Sequence, residues 1–157
     1  MNNTLKLIIS IIIPLAVGGI SGYLTATGVD SWYATVQKPS FNPPNWIFGP
    51  VWTSLYILMG IGLFLVWKQP AATPFRGTAI AIFIVQLVLN FFWSIIFFKL
   101  EKPGLAFAEI VILWIAILLM IIYFIKVKPV AGYLQIPYLC WVSFASVLNF
   151  YIWNLNK

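Results

Sequence analysis

Charged side chains cut the chain into five apolar runs, of which only the fourth carries a charge inside it, Glu109. Lys6 and Asp30 bracket the first, residues 7–29. Lys38 and Lys68 bracket the second, whose helical part is expected to begin near Trp46, after Pro43 and Pro44. Arg76 and Lys99 enclose the third, Lys102 and Lys126 the fourth, Lys128 and Lys157 the fifth. Each run supplies the roughly 20 residues a helix needs to cross a hydrocarbon core. Turn residues sit at the breaks: Pro70 with Pro74, Pro103 with Gly104, Pro129 with Gly132. The last three connections are short, so consecutive helices are expected to be antiparallel neighbours. A barrel would need period-two alternation in strands of about ten residues, and these continuous runs lack it. The pattern predicts an all-α membrane protein, a five-transmembrane-helix bundle forming a single domain over residues 1–157.

Composition agrees. Of 157 residues 62% are apolar and 8% charged, and mean hydropathy is +1.00; a soluble domain carries about 25% charged residues. The first apolar run exceeds the usual 7–15 residues of a cleaved leader, so it reads as a retained helix. The net charge of +6 is spread over single and paired bases, which argues against the clustered basic stripe of a nucleic-acid binder. Lys6, Lys68, Arg76, Lys126 and Lys128 fall on one membrane face, and Lys38, Lys99, Lys102 and Lys157 on the other. The positive-inside rule then favours a cytoplasmic N-terminus. Cys140 is the only cysteine, histidine is absent, and three residues are acidic. That leaves no intrachain disulfide and no ordinary donor set for a resident metal, and no cofactor is expected.

The first loop is the most distinctive segment. Trp32 and Tyr33 open it, Lys38-Pro39-Ser40-Phe41 follows, and Asn42-Pro43-Pro44-Asn45-Trp46-Ile47-Phe48-Gly49-Pro50-Val51-Trp52 leads into the second run. It is longer than most connections between bundle helices. Its prolines fix their own φ and restrict the residues before them. A stiff aromatic loop of this kind suits a lid over one end of the bundle; its aromatics equally suit a headgroup-level belt.

The string W-Y-x-x-x-x-K-P-S-F-x-P-P-x-W-x-F-G-P-V-W-T-S-L-Y resembles the signature of the TspO/MBR family, the translocator or tryptophan-rich sensory proteins. The resemblance continues at Leu89, Asn90 and Trp93, at Ile96-Phe97-Phe98, at Pro137-Tyr138-Leu139 with Trp141, and at Phe144, Ala145, Leu148 and Asn149. It implies a five-helix bundle whose pocket takes tetrapyrroles such as protoporphyrin IX, and sterols or isoquinoline-type drugs in some members. It also implies a multi-pass protein, here of a bacterial cell membrane or, alternatively, of a bacterial or mitochondrial outer membrane. Mitochondrial members have Trp where this chain has Phe41 and Asp where it has Glu109. Their sterol-recognition segment has Tyr and Arg at the positions of Phe150 and Asn154. Those departures bear on sterol binding and leave tetrapyrrole binding untouched.

Helical rise supports a pocket independently. Measured from the loop face, Trp52 and Glu109 lie roughly 9 Å deep, Asn90 roughly 12 Å and Asn149 roughly 6 Å. Trp93 shares the level of Asn90 by i,i+3 spacing, and Trp141, Ala145 and Asn149 share one helix face. The polar and aromatic exceptions of four helices thus meet in the loop-side half. Asn90 and Asn149 are expected to offer directional hydrogen bonds there, and Lys38 a positive charge for a propionate. The loop adds Trp32 and Tyr33, and the family motifs add Tyr56 and Leu148. Against these readings stand bundle glue for Asn90, belt or core packing for the tryptophans, and outward snorkelling for Glu109. Gly18-x-x-x-Gly22 and Gly77-x-x-x-Ala81 fit close helix contacts, within the bundle or along a homodimer seam. The expected partners are a porphyrin or other small lipophilic ligand, and membrane lipid.

Two functions are compatible with such a site. One is a receptor or sensor that binds tetrapyrroles and either transports them or signals their presence. The other follows from the resemblance, because some family members promote light- and oxygen-dependent breakdown of protoporphyrin IX; Trp52 and Trp141 would then be the redox-active, catalytic side chains. No acid–base pair or activated nucleophile points to hydrolytic or transfer chemistry. An ion-coupled transporter would show broken helices or inverted repeats with paired charges.

Overall fold

The computed structural model describes residues 1–157. Five helices are long and apolar enough to cross a membrane, as the charge punctuation predicts. Where no water can satisfy the backbone, a helix closes its own hydrogen bonds, and continuous apolar runs without the period-two alternation of a barrel strand take that form. In chain order the elements are α1 (Asn3–Asp30), a one-turn α2 (Trp32–Thr35), α3 (Asn45–Trp67), α4 (Arg76–Ser94), α5 (Pro103–Val127), a short α6 (Pro129–Tyr133) and α7 (Ile136–Leu155). The protein is therefore an integral, multi-pass α-helical bundle.

α1 packs on α3, α4 lies along α5 and touches α1 and α3, and α5 backs α7. α3 meets α6 closely and reaches α7 through aromatic side chains, Phe48 to Trp141 and Trp52 to Tyr138. Glycine sets the crossing of α1 on α3. A Cβ on Gly60 would lie 2.6 Å from the Ile11 Cα and 2.7 Å from the Ser10 carbonyl oxygen, so α1 and α3 touch backbone to backbone there.

Two irregularities shape the bundle beyond the five-run expectation. The end of α4 widens into a π-helical turn, Ile95–Lys99, in which the Leu100 N–H reaches back to the Ile95 carbonyl at 2.9 Å. Such turns redirect side chains within a helix, and this one presents Phe97 and Phe98 towards α1 and α2. The fifth run is not one straight helix, because Pro137 offers no N–H to the preceding turn. The chain pauses at Leu134 and Gln135 between α6 and α7. The buried Gln135 side chain fills the break, donating to the Leu58 carbonyl of α3 at 3.0 Å and to the Ala131 carbonyl at 3.3 Å.

Candidate ligand pocket

A cavity of about 390 Å³ lies in the loop-side half, walled by α1, α3, the end of α4 with its π turn, and α7. Trp52, Trp93 and Trp141 come to its wall from three different helices. Trp52 stacks on Tyr56 with ring centroids 5.6 Å apart and meets Tyr138 edge-on at 6.3 Å. Trp93 stacks on Phe97 at 5.2 Å. Trp141 packs between Phe48, at 5.9 Å, and Phe144, at 5.5 Å. Aromatic contacts of this kind contribute about 0.5–1.5 kcal/mol each beyond area burial, so they fix the wall before any ligand arrives.

Eight of the expected site residues line this cavity: Tyr33, Trp52, Tyr56, Trp93, Trp141, Ala145, Leu148 and Asn149. Asn149 lines it with its amide already engaged. It accepts from the Trp93 indole N–H at 3.0 Å and donates to the Pro103 carbonyl at 2.8 Å, tying α7 to α4 and α5. Asn90 is not a lining residue. It accepts from the Tyr56 hydroxyl at 2.7 Å and donates to the Tyr138 hydroxyl at 3.0 Å, which in turn donates to Gln86 at 2.7 Å. That chain joins α3, α4 and α7 beneath the pocket and uses up the Asn90 side chain. Trp32 stands behind the wall, edge-on to Phe97 at 5.5 Å. Glu109 contributes nothing to the lining; both its carboxyl oxygens are buried without a partner. Among the pocket tryptophans, Trp141 keeps its indole N–H buried and unpartnered.

The first loop is fastened over this end. The Tyr33 hydroxyl donates to Asn42 at 2.8 Å. Burial raises the Tyr33 phenol above its ordinary value of 10.0, with the Asn42 bond pulling the other way, so the hydroxyl remains a donor at neutral pH. Lys38 does not line the cavity. Its Nζ lies 4.8 Å above the Tyr33 ring and donates to the Val36 carbonyl at 3.3 Å, which holds the charge at the rim. The Gln37 N–H donates to the Asn156 side chain at 3.0 Å, and Asn156 returns a bond to the Gln37 carbonyl at 2.9 Å. Phe41 packs edge-on against Tyr151 at 5.3 Å. The loop is thereby pinned to the end of α7.

The sequence reading drew no site residue from α1, which supplies Gly18, Gly19, Ser21, Gly22 and Thr25 to the lining. The signal was Gly18-x-x-x-Gly22, whose small faces fit a helix contact equally well. Gly18 does serve a contact inside the bundle, with the Tyr56 ring lying where its Cβ would stand. Gly19 and Gly22, and Gly49 opposite on α3, have open space beyond the Cβ position and are exposed. With the exposed Thr53 they leave the wall between α1 and α3 open on the loop side.

Comparison with known proteins agrees with this architecture. The TspO/MBR family profile matches residues 10–154. The chain is 47% identical to the tryptophan-rich protein TspO of Archaeoglobus fulgidus over 98% of its length and 99% of that protein. It is 37% identical to the human translocator protein over 80% of this chain and 75% of that one. With the tryptophan-rich sensory protein of Cereibacter sphaeroides it shares 35% identity, over 81% and 78% of the two chains. A match across the whole bundle, at these identities and with this order of helices, makes the chain a member of the TspO/MBR family.

Proposed function

We propose that the protein is a membrane receptor for flat, lipophilic ring compounds of the tetrapyrrole class, protoporphyrin IX among them, and that it acts as a sensor or carrier of them. The observation that carries the reading is the aromatic cavity itself. It has the size of a small-molecule site, three tryptophans on its walls, and one buried indole donor, Trp141 Nε1, without an acceptor. A buried donor left unpaired costs about 1–3 kcal/mol, and a ligand carbonyl or carboxylate removes that cost. A tetrapyrrole is large for a closed space of this volume. The open wall at Gly19, Gly22 and Gly49 gives its edge room and lets it arrive from the bilayer, where such compounds concentrate. Relatives named for translocation and for sensing support a role of this kind.

Titration with protoporphyrin IX in detergent or nanodiscs, followed by tryptophan quenching, tests the proposal. The expected result is saturable one-to-one quenching that disappears in Ala145→Phe, which fills the pocket. Quenching that never saturates, or that is indifferent to Ala145→Phe, would refute it.

A second reading, light- and oxygen-dependent porphyrin breakdown, is favoured by the stacked Trp52–Tyr56 pair, because adjacent indole and phenol rings suit one-electron oxidation. Loss of porphyrin absorbance under illumination should then stop in Trp52→Phe or Trp141→Phe even at porphyrin concentrations that saturate the variant. Breakdown at an unchanged rate in the double variant would remove these residues from any such reaction.

A further inference from the structure

A second hollow, unrelated to the aromatic cavity, runs down the outside of the bundle between α1, α3 and α4. It measures about 490 Å³ and every residue lining it is apolar. Ile13 of α1 and Ile84, Val88 and Phe92 of α4 form its exposed walls, and Phe83 and Leu87 its buried floor. From Ile80 to Phe92 it extends about 18 Å along α4. Half of a hydrocarbon core is about 15 Å, so the groove spans one leaflet.

Its end at the membrane face opposite the first loop is basic. Arg76 lies one turn before Ile80 on the same stripe of α4. One guanidinium nitrogen donates to the carbonyl of Trp67, itself a groove residue, at 2.8 Å. The Arg76 Nε–H is buried and unpartnered. Lys68 follows Trp67 directly, and Lys6 lies on the α1 stripe that continues to Ile13 and Val17. None of the three acidic residues is at this face: Asp30 ends α1, Glu101 precedes α5, and Glu109 lies in the first turns of α5. A chain-length apolar trough thus ends beside a guanidinium with an unpartnered donor, on a membrane face that also carries Lys6 and Lys68, the latter with its Nζ 5.1 Å over the Phe64 ring.

We propose that this groove is a binding site for one anionic phospholipid of the leaflet opposite the first loop, an acyl chain lying along α4 and the headgroup phosphate held by Arg76. Guanidinium donors match phosphate oxygens in geometry and charge, and an acyl chain is the flexible apolar body that a narrow concave trough accepts. A second copy of the chain fits less well. Helices that pair in membranes approach through small residues; the exposed small pair of α4, Gly77 and Ala81, lies outside the groove lining, whose walls are Ile, Val and Phe.

The test is native mass spectrometry of the purified protein equilibrated with equal amounts of phosphatidylglycerol and phosphatidylcholine bearing identical chains. The expected spectrum shows one retained phosphatidylglycerol, favoured over phosphatidylcholine by about tenfold, as a charge-assisted hydrogen bond would give. Arg76→Gln should bring the two lipids to equal occupancy. Ile84→Trp, which fills the groove from an exposed position and leaves Arg76 in place, should remove both, with circular dichroism confirming that the helices remain. Equal occupancy in the unmodified protein, or a preference that survives both substitutions, would overturn the site. A dimer mass lost in Ile84→Trp, with no lipid adduct, would assign the groove to a second copy instead.

Discussion

Trp141 packs against Phe48 and Phe144, and its N–H has no acceptor. Removing that donor should therefore cost the empty protein nothing in hydrogen bonding. Trp141→Phe is expected to leave thermal stability in detergent unchanged or slightly raised while weakening protoporphyrin IX about tenfold, the effect of one lost hydrogen bond. Asn149 is the opposite case. Asn149→Leu strands the Trp93 indole and the Pro103 carbonyl, and should lower stability by about 1–3 kcal/mol before any question of binding arises. Tyr33 gives a pH signature. Its folded-state value lies above the ordinary 10.0, so its support of the closed loop is complete below that pH and is lost as pH rises through the higher folded value. Ligand dissociation should accelerate only under strongly alkaline conditions, and Tyr33→Phe should be fast at every pH. At this scale the sequence was a good guide to level and a poor one to engagement. Helical rise put Trp52, Trp93, Trp141 and Asn149 in the loop-side half, at different depths with Trp141 the deepest, and all four line the cavity. It carried no information on whether an amide is already used, and the Asn90 side chain is spent on Tyr56 and Tyr138.

Between spans, the first loop behaves as a fastened strap rather than a free flap. Its stiffness was visible in Pro39, Pro43 and Pro44, but its anchorage was not, because Gln37 and Asn156 lie 119 positions apart. Two perturbations separate stiffness from anchorage. Pro43→Gly with Pro44→Gly widens the loop's conformational choice, and Asn156→Ala removes both bonds to Gln37. If the loop retains ligand, both should speed dissociation in stopped-flow quenching with the helices intact. Unchanged rates in both would leave the loop a spacer. The break in the fifth run escaped the sequence reading for a related reason. Pro129, Gly132 and Pro137 read as helix-edge residues, and only the packing of Gln135 against α3 shows that the chain pauses inside the membrane-spanning region. The π turn left no readable mark at all: Ile95–Lys99 has the composition of an ordinary helix end.

Over the whole molecule, polarity was the most legible property. Charges mark every span boundary, and Trp52, Trp93, Trp141, Asn90 and Asn149 gather in the loop-side half. The structure adds a division of labour between α1 and α3. Near the opposite face Gly60 lets their backbones touch, and at the loop side Gly19, Gly22 and Gly49 leave them apart. Beyond that contact the Tyr56 ring still lies against Gly18, and α1 is held to the π turn where Gly28 meets the Phe98 backbone, so the rod that can pivot at Gly60, as a lever does, is α3. From Gly60 to Gly49 the arm is about 16 Å, so a tilt of about 10° about the contact widens the mouth by about 3 Å. The thickness of an aromatic ring is of that order. Passage of a flat molecule from lipid to cavity then needs a small rocking motion of one helix and no unfolding. A methyl group at the fulcrum, Gly60→Ala, would set how far the jaws rest open.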